Sequence, residues 1–259
     1  MQSWFVAWLA LPVVVLFLSL FAFYLATAAL MVWLTFQSPL SGRIQSFKGV
    51  VAPFFGSTAI IFGLLLAFLS NDIWERNRQA DRIVLIESNT LVALYSLSAA
   101  SGADNSRLRS AIRAYVTAVV EDEWPRLARQ QRSATTDAAL EILLREVAQT
   151  GASKDADVRK ALLDMVLRIR NAHEDRVELS DDRTAVSKWA AVLMLALVTQ
   201  LAIAVVHLER PRPQIAALFI FTLAAVSVLG LLAIHEAPFE PPVFVPPGPI
   251  GDVLLQVPI

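Results

Sequence analysis

The longest acidic run of the chain, Glu121-Asp122-Glu123, stands immediately ahead of Trp124. Glu121 and Glu123 are the pair that could offer hard oxygen ligands to a divalent cation, although a solvated acidic helix face is the plainer reading. His173-Glu174 lacks a second histidine four residues on, so it is no zinc-hydrolase motif and reads as a surface pair. The three histidines are scattered, and no phosphate-cradling glycine loop or Ser/His/Asp spacing occurs. The absence of cysteine removes disulfides and thiolate chemistry. These residues predict no enzyme and no cofactor, and a net charge of −1 gives no general attraction to nucleic acid.

The residues with more to say are apolar. Hydrophobic side chains make up 56% of the 259 residues and charged ones only 17%, less than the quarter or so usual for a soluble domain. Charge is also segregated: 18 Lys/Arg and 19 Asp/Glu lie between Asp72 and Lys188, and none lies between Met1 and Gly42. This pattern predicts an all-α integral membrane protein of four spans, with a charged helical extramembrane domain over 72–188 between the second and third.

Trp4 to Phe36 is an uncharged run too long for one crossing of about 30 Å. Pro12 should break it, leaving a first span over about Leu11 to Trp33. Ala26-Thr27-Ala28 has the small-x-small form of a signal cleavage site, but no basic segment precedes it and apolar residues continue beyond it. The second span is read over Val50–Ser70, with Pro53 in its first turn. Trp189–Val206 and Ile215–Ile234 form a hairpin across Glu209-Arg210-Pro211-Arg212-Pro213. Trp4, Trp33, Trp74 and Trp189 sit near span ends, where amphipathic rings collect. Near the membrane, Arg43, Lys48, Arg210 and Arg212 oppose Arg76, Arg78, Arg82, Arg170, Arg176, Arg183 and Lys188, which favours a cytoplasmic domain.

No Gly or Pro interrupts Trp74 to Ala99, and Ile73, Ala80, Val84, Leu91 and Leu94 recur at helical steps, so the second span should run on unbroken to about Ala99. After a break at Ser101–Asn105, a helix carries Leu108, Ile112, Tyr115, Val116, Val119 and Trp124 on one face, with a kink at Pro125. Thr136 and Asp137 are read as caps of the next helix, which ends near Gly151. The last begins about Ser153 and places Leu162, Met165, Val166 and Ile169 together. Seven of 13 prolines lie between Pro238 and Pro258, which predicts an extended tail that docks through Phe239, Val243, Phe244 and Val245.

Within the second span, Gly56, Ala59, Gly63 and Ala67 form a small-residue stripe that allows helix backbones to approach closely. It serves either self-association or packing on another span of the same chain. Phe55, Phe62, Leu66 and Leu69 form a neighbouring stripe, which in a ring of subunits would make a hydrophobic constriction and otherwise faces lipid. The span cores hold no ionisable residue; Gln200 lies within the third, and His207 and His235 at span ends. This argues against a proton-coupled transporter and leaves passive conduction or scaffolding. A scaffold would expose an uncovered apolar face around Tyr115, Val119 and Trp124.

Several segments together are similar to a known family. Gly63-Leu64-Leu65-Leu66-Ala67-Phe68 leads into Asn71-Asp72-Ile73-Trp74-Glu75. Glu87-Ser88-Asn89-Thr90-Leu91-Val92-Ala93-Leu94-Tyr95, Ile112-Arg113-Ala114-Tyr115 through Glu123-Trp124-Pro125, and Pro238-Phe239 after the last span follow in order. Over essentially the whole chain they resemble the bestrophin-like domain family of bacterial membrane proteins. That resemblance implies a homo-oligomer, a pentamer by analogy with bestrophin anion channels, in a bacterial inner membrane. Its second spans would line a path for inorganic anions such as chloride. The chain departs from the family's usual tail, in which an Asp-Arg pair precedes Pro-Phe, by carrying His235-Glu236-Ala237 there.

Overall fold

A computed structural model describes residues 2–49, 52–100, 106–150 and 156–257. The described residues are helical and contain no strand. They divide into a first unit, Met1–Trp74 with Arg183–Glu236, and a second, Glu75–Asp182 with Ala237–Ile259.

The first unit holds α1 (Gln2–Leu9), α2 (Val13–Phe36), the short α3 (Ser41–Gln45), the first half of α4 (Ala52–Ala100), α9 (Val186–Val206) and α10 (Pro211–Ile234). Pro12 is extended at φ −52° and ψ 140° and separates α1 from α2. The Trp8 indole N–H donates to Ser19 Oγ at 2.9 Å, tying α1 back against α2. α2, α4, α9 and α10 are long and apolar enough to cross a membrane. α10 starts with Pro211 at a position whose N–H would have no helical partner. It packs along α2, and Gly230 makes that possible: a Cβ there would lie 2.4 Å from the Phe17 ring. Tyr24, Leu20, Phe62, Leu69, Ile73, Trp189, Val192 and Leu229 are buried between the helices. Trp189 is fully enclosed, with its indole N–H on Glu236 at 3.0 Å, so its ring is an internal anchor and not part of an interfacial belt.

Gly49 has a φ of 107°, a backbone conformation that suits glycine and ends helical geometry ahead of α4. From Ala52 the helix continues for 49 residues, about 74 Å at about 1.5 Å per residue. The boundary between the two units falls inside it, after Trp74.

The second unit combines the rest of α4 with α5 (Ser106–Ala118), a π turn (Val119–Glu123), α6 (Trp124–Leu127), α7 (Ala134–Thr150), α8 (Ala156–Asp181) and a tail bearing α11 (Gly248–Gly251) and α12 (Val253–Gln256). Where a kink was expected at Pro125, the helix widens just before it. Pro125 has no N–H to continue the ladder, and the Trp124 N–H reaches back five residues to the Val119 carbonyl. The cap of α7 is Ser133, whose Oγ accepts the Thr136 N–H at 3.0 Å, in place of the expected Thr136 and Asp137. The expected breaks at Ser101–Asn105 and Gly151–Ser153 lie outside the described residues.

The core of this unit gathers Val84, Leu91, Leu94, Leu108, Ile112, Tyr115, Val119, Leu143, Val166 and Ile169. The tail closes it with Phe239, Val245, Ile250 and Val253. Ser88 donates to the Pro249 carbonyl at 2.6 Å, and Arg113 to the Val257 carbonyl at 2.7 Å. Val243 and Phe244, also expected to dock, stand exposed.

Candidate functional site

In the first unit, α4 presents two unlike faces. Phe62 is 8% exposed and Leu69 2%, packed among the unit's own helices, and the Phe62 and Phe221 ring centroids are 5.9 Å apart. Phe55 and Leu66 are half-buried against the same packed side. Of the four residues expected to constrict a path, Phe62 and Leu69 are thus packed within their own unit, and Phe55 and Leu66 partly so. The sequence placed them by residue type alone, without knowing which stripe of an all-apolar helix would find partners inside the chain.

The other face is open. Ile60, Leu64 and Phe68, four residues apart, are 72%, 56% and 61% exposed. Beside them lie the small residues, with Gly63 and Ala67 exposed and Gly56 and Ala59 half-buried. A Cβ built on Gly56 or Gly63 would meet nothing within 4 Å. Among the described residues no neighbouring helix fills the space beside Gly56 and Gly63.

At the centre of this unit the polar contacts are neutral. The buried Gln200 of α9 donates to the Tyr24 carbonyl at 2.9 Å and to Thr222 Oγ1 at 3.1 Å, and its Oε1 accepts from Thr27 at 2.8 Å. One amide thereby links α2, α9 and α10. Two apolar grooves of about 340 and 350 Å³, one along Leu25, Val32, Trp33 and Leu218 and the other along Phe5, Trp8, Leu193 and Met194, bring no ionisable groups together.

In the second unit the chemistry is ionic. Arg176 of α8 is fully buried and donates to Glu87 of α4 and to Glu123 Oε1 of the π turn, the latter at 3.1 Å from Nε and 2.6 Å from Nη2. The Tyr115 hydroxyl donates to the other oxygen of Glu87 at 2.6 Å. His173, also buried, has Nε2 at 3.1 Å from Asp137 and Nδ1 at 3.3 Å from Glu123 Oε2. The Arg176 guanidinium lies 5.3 Å from the Trp124 ring centre. The Trp124 indole N–H donates to the Val245 carbonyl at 3.1 Å, and its ring meets Phe239 edge-on at 5.6 Å.

Burial lowers the pKa of Arg176 to about 9 and raises that of the Tyr115 hydroxyl. Burial alone would discharge His173, yet hydrogen bonds and attraction from Glu123 and then Asp137 outweigh it, so the imidazole stays protonated to higher pH than usual. Asp122 is held low by a hydrogen bond from Ser133 and then by Arg126.

Three expectations change. Glu123 is enclosed by Arg176 and faces no solvent, while Glu121 is exposed, so the two do not converge on a cation. Among the described residues no group of three His, Asp or Glu side chains could hold a metal ion. His173 is an interior residue, not a surface one. Tyr115, Val119 and Trp124 are covered by their own unit, which leaves no apolar face there for a partner. Register could have revealed the cluster: Glu87 falls between Val84 and Leu91, Glu123 follows Val119 by four, and His173 and Arg176 extend Val166 and Ile169 at steps of four and three.

The family model described as "Bestrophin-like domain" matches residues 22–250. The chain belongs to the bestrophin-like family. No curated protein matches it in sequence. Its fold is similar to that of a bacterial bestrophin homologue from Klebsiella pneumoniae, at a TM-score of 0.68 and 11% identity over 90% of this chain and 98% of that one. A point variant of that homologue gives 0.72 and 12%, covering 93% and 97%. A crystal structure described as a membrane protein gives 0.71 and 9%, covering 94% and 99%. At such identities the likeness is one of fold, and this bestrophin-like chain keeps its own residues at nearly every position.

Proposed function

We propose that the protein is a passive, homo-oligomeric ion channel of bestrophin type, conducting anions in preference to cations, with the second spans of several copies lining the path. The observation that carries this is the open face of α4. In lipid, helices associate where small residues let backbones approach, and Gly56, Gly63 and Ala67 are small, unoccupied and adjacent to Ile60, Leu64 and Phe68. Those three large residues replace Phe55, Phe62, Leu66 and Leu69 as the hydrophobic constriction. A pentamer follows the family analogy.

Steps of three and four along the sequence lead from Phe68 through Asn71 and Glu75 to Arg78 and Arg82. Glu75 accepts from both arginines, at 2.7 and 2.5 Å, so these three residues together keep one net positive charge, which favours anions. In this reading the helical domain, 72–188, stands on the cytoplasmic side of a bacterial inner membrane, inserted between the second and third spans. The competing scaffold reading needs an uncovered apolar face that the second unit lacks at Tyr115, Val119 and Trp124.

Purified protein in planar bilayers under a chloride gradient tests the proposal. A current reversing near the chloride potential and enlarged by Phe68→Ala supports it; a monomer in detergent, or bilayers without current, overturns it. Gly63→Leu is expected to weaken the oligomer without unfolding the subunit.

A further inference from the structure

His173 stands where four elements of the second unit converge. Glu87 comes from α4, Tyr115 from α5, Glu123 from the π turn and Asp137 from α7, while Arg176 stands one turn along α8. Further out, Arg132 pairs with Glu174 at 2.6 Å near the mouth of the cluster. The tail adds the Phe239 ring and the Val245 carbonyl, both on Trp124.

The charges do not balance without His173. Glu87 and Glu123 accept from Tyr115 and Arg176 and share one guanidinium, so the fully buried groups carry one excess negative charge unless the imidazole is protonated. The hydrogen bonds give the same answer. Glu123 Oε2 is buried and has no hydrogen-bond donor, but His173 Nδ1 lies 3.3 Å from it and also 3.3 Å from Arg176 Nη2. A neutral imidazole with its proton on Nε2 would accept from Arg176 and leave Oε2 orphaned, and one with its proton on Nδ1 would set a bare Nε2 against the Asp137 oxygen 3.1 Å away. An imidazolium donates from Nδ1 to Glu123 and from Nε2 to Asp137, and every group has a partner.

The side of this cluster least held by its own backbone is the tail. Over Pro238–Pro247 it has no helical bonds, and five of its ten residues are prolines that cannot donate one. It rests on Trp124, which follows Glu123 directly and lies against Arg176. We propose that the proton on His173 locks the Pro-rich tail onto the second unit, so that losing it on alkalinisation releases Phe239–Val245 from Trp124. Deprotonation removes the counter-charge of Glu123 in either tautomer and leaves one of the two carboxylates without its donor; water enters to solvate the excess charge, and Trp124 loses its fixed position. The sign follows from the raised titration of His173: docking is complete below the ordinary imidazole range, near pH 6.5, and is lost as pH rises through the raised value.

Because the full chain has no cysteine, one introduced thiol reports without background. Val245 is buried and Val243 exposed two residues away, so the maleimide labelling rate of Val245→Cys divided by that of Val243→Cys cancels the thiol's own pH dependence. The ratio is expected to rise at least tenfold between pH 6.5 and 8.5, to be high and flat with His173→Gln, and to rise at lower pH with Asp137→Asn. A flat ratio in the otherwise unaltered chain, or an unchanged rise with His173→Gln, overturns the proposal. Should His173→Gln not yield folded protein, the Asp137→Asn midpoint decides alone, and an unmoved midpoint rejects it.

Discussion

The centres of the two units bury polar groups by different chemistry. Around Gln200 the first unit uses amides, hydroxyls and carbonyls and no full charge, whereas around Arg176 the second encloses two carboxylates, a guanidinium and an imidazole. A neutral amide joining three helices costs little in a hydrocarbon surround; an ion there would cost several kcal/mol. In a unit with a charged exterior, ions are acceptable inside if every lone pair and proton is met, and they fix geometry more strictly than apolar contact. The difference predicts that single substitutions will be costly in the second unit and mild in the seam of the first.

The largest effect should come from Arg176→Met. It leaves Glu87 and Glu123 buried without a counter-charge, a loss of about 3–5 kcal/mol, or roughly 10 °C in melting temperature for a chain of this size. Adding Glu87→Gln and Glu123→Gln should restore most of it, since the harm lies in the stranded charges. A single variant that melts like the parent chain would break the contrast at its strongest point.

Next comes close packing in the first unit. Gly230→Ala drives a Cβ into the Phe17 ring, a strain of about 1–3 kcal/mol, and Phe17→Ala in the same chain should relieve it. The neutral seam ranks lower. Gln200→Leu removes bonds to Thr27, Tyr24 and Thr222 together and is expected to cost about 0.6–2 kcal/mol, read as a small downward shift in melting temperature.

Much of this architecture was legible in the residues. The break at Pro12, the long unbroken α4 and the apolar runs of α9 and α10 follow from proline chemistry and periodicity, both local properties. What stayed hidden depends on which face finds a partner. An all-apolar helix such as the membrane half of α4 has no polar side to mark its exterior, so the Phe62 stripe and the Phe68 stripe look alike in sequence and only packing separates them. Glu123 and His173 read as surface residues because charge ordinarily means solvent; the partner that buries them, Arg176, lies 53 residues from Glu123.

The smallest effect should be the ion pair of the first unit that most resembles the Arg176 cluster on paper. Lys188 Nζ and Asp72 lie 2.5 Å apart and join α9 to α4, but the side chains are 55% and 40% exposed. Water screens the attraction and ordering two long side chains opposes it, so Lys188→Ala should change stability by about 0–1 kcal/mol. Salt sharpens the distinction. At about 1 M the screening length falls to roughly 3 Å, so what little Lys188→Ala costs should vanish, while the loss from Arg176→Met should persist because no counter-ion reaches Glu87 or Glu123 in the folded unit. Melting each variant at low and high salt measures both. An Arg176→Met deficit that disappeared with salt would mean that the cluster is open to solvent, and the proposed buried proton on His173 would lose its basis.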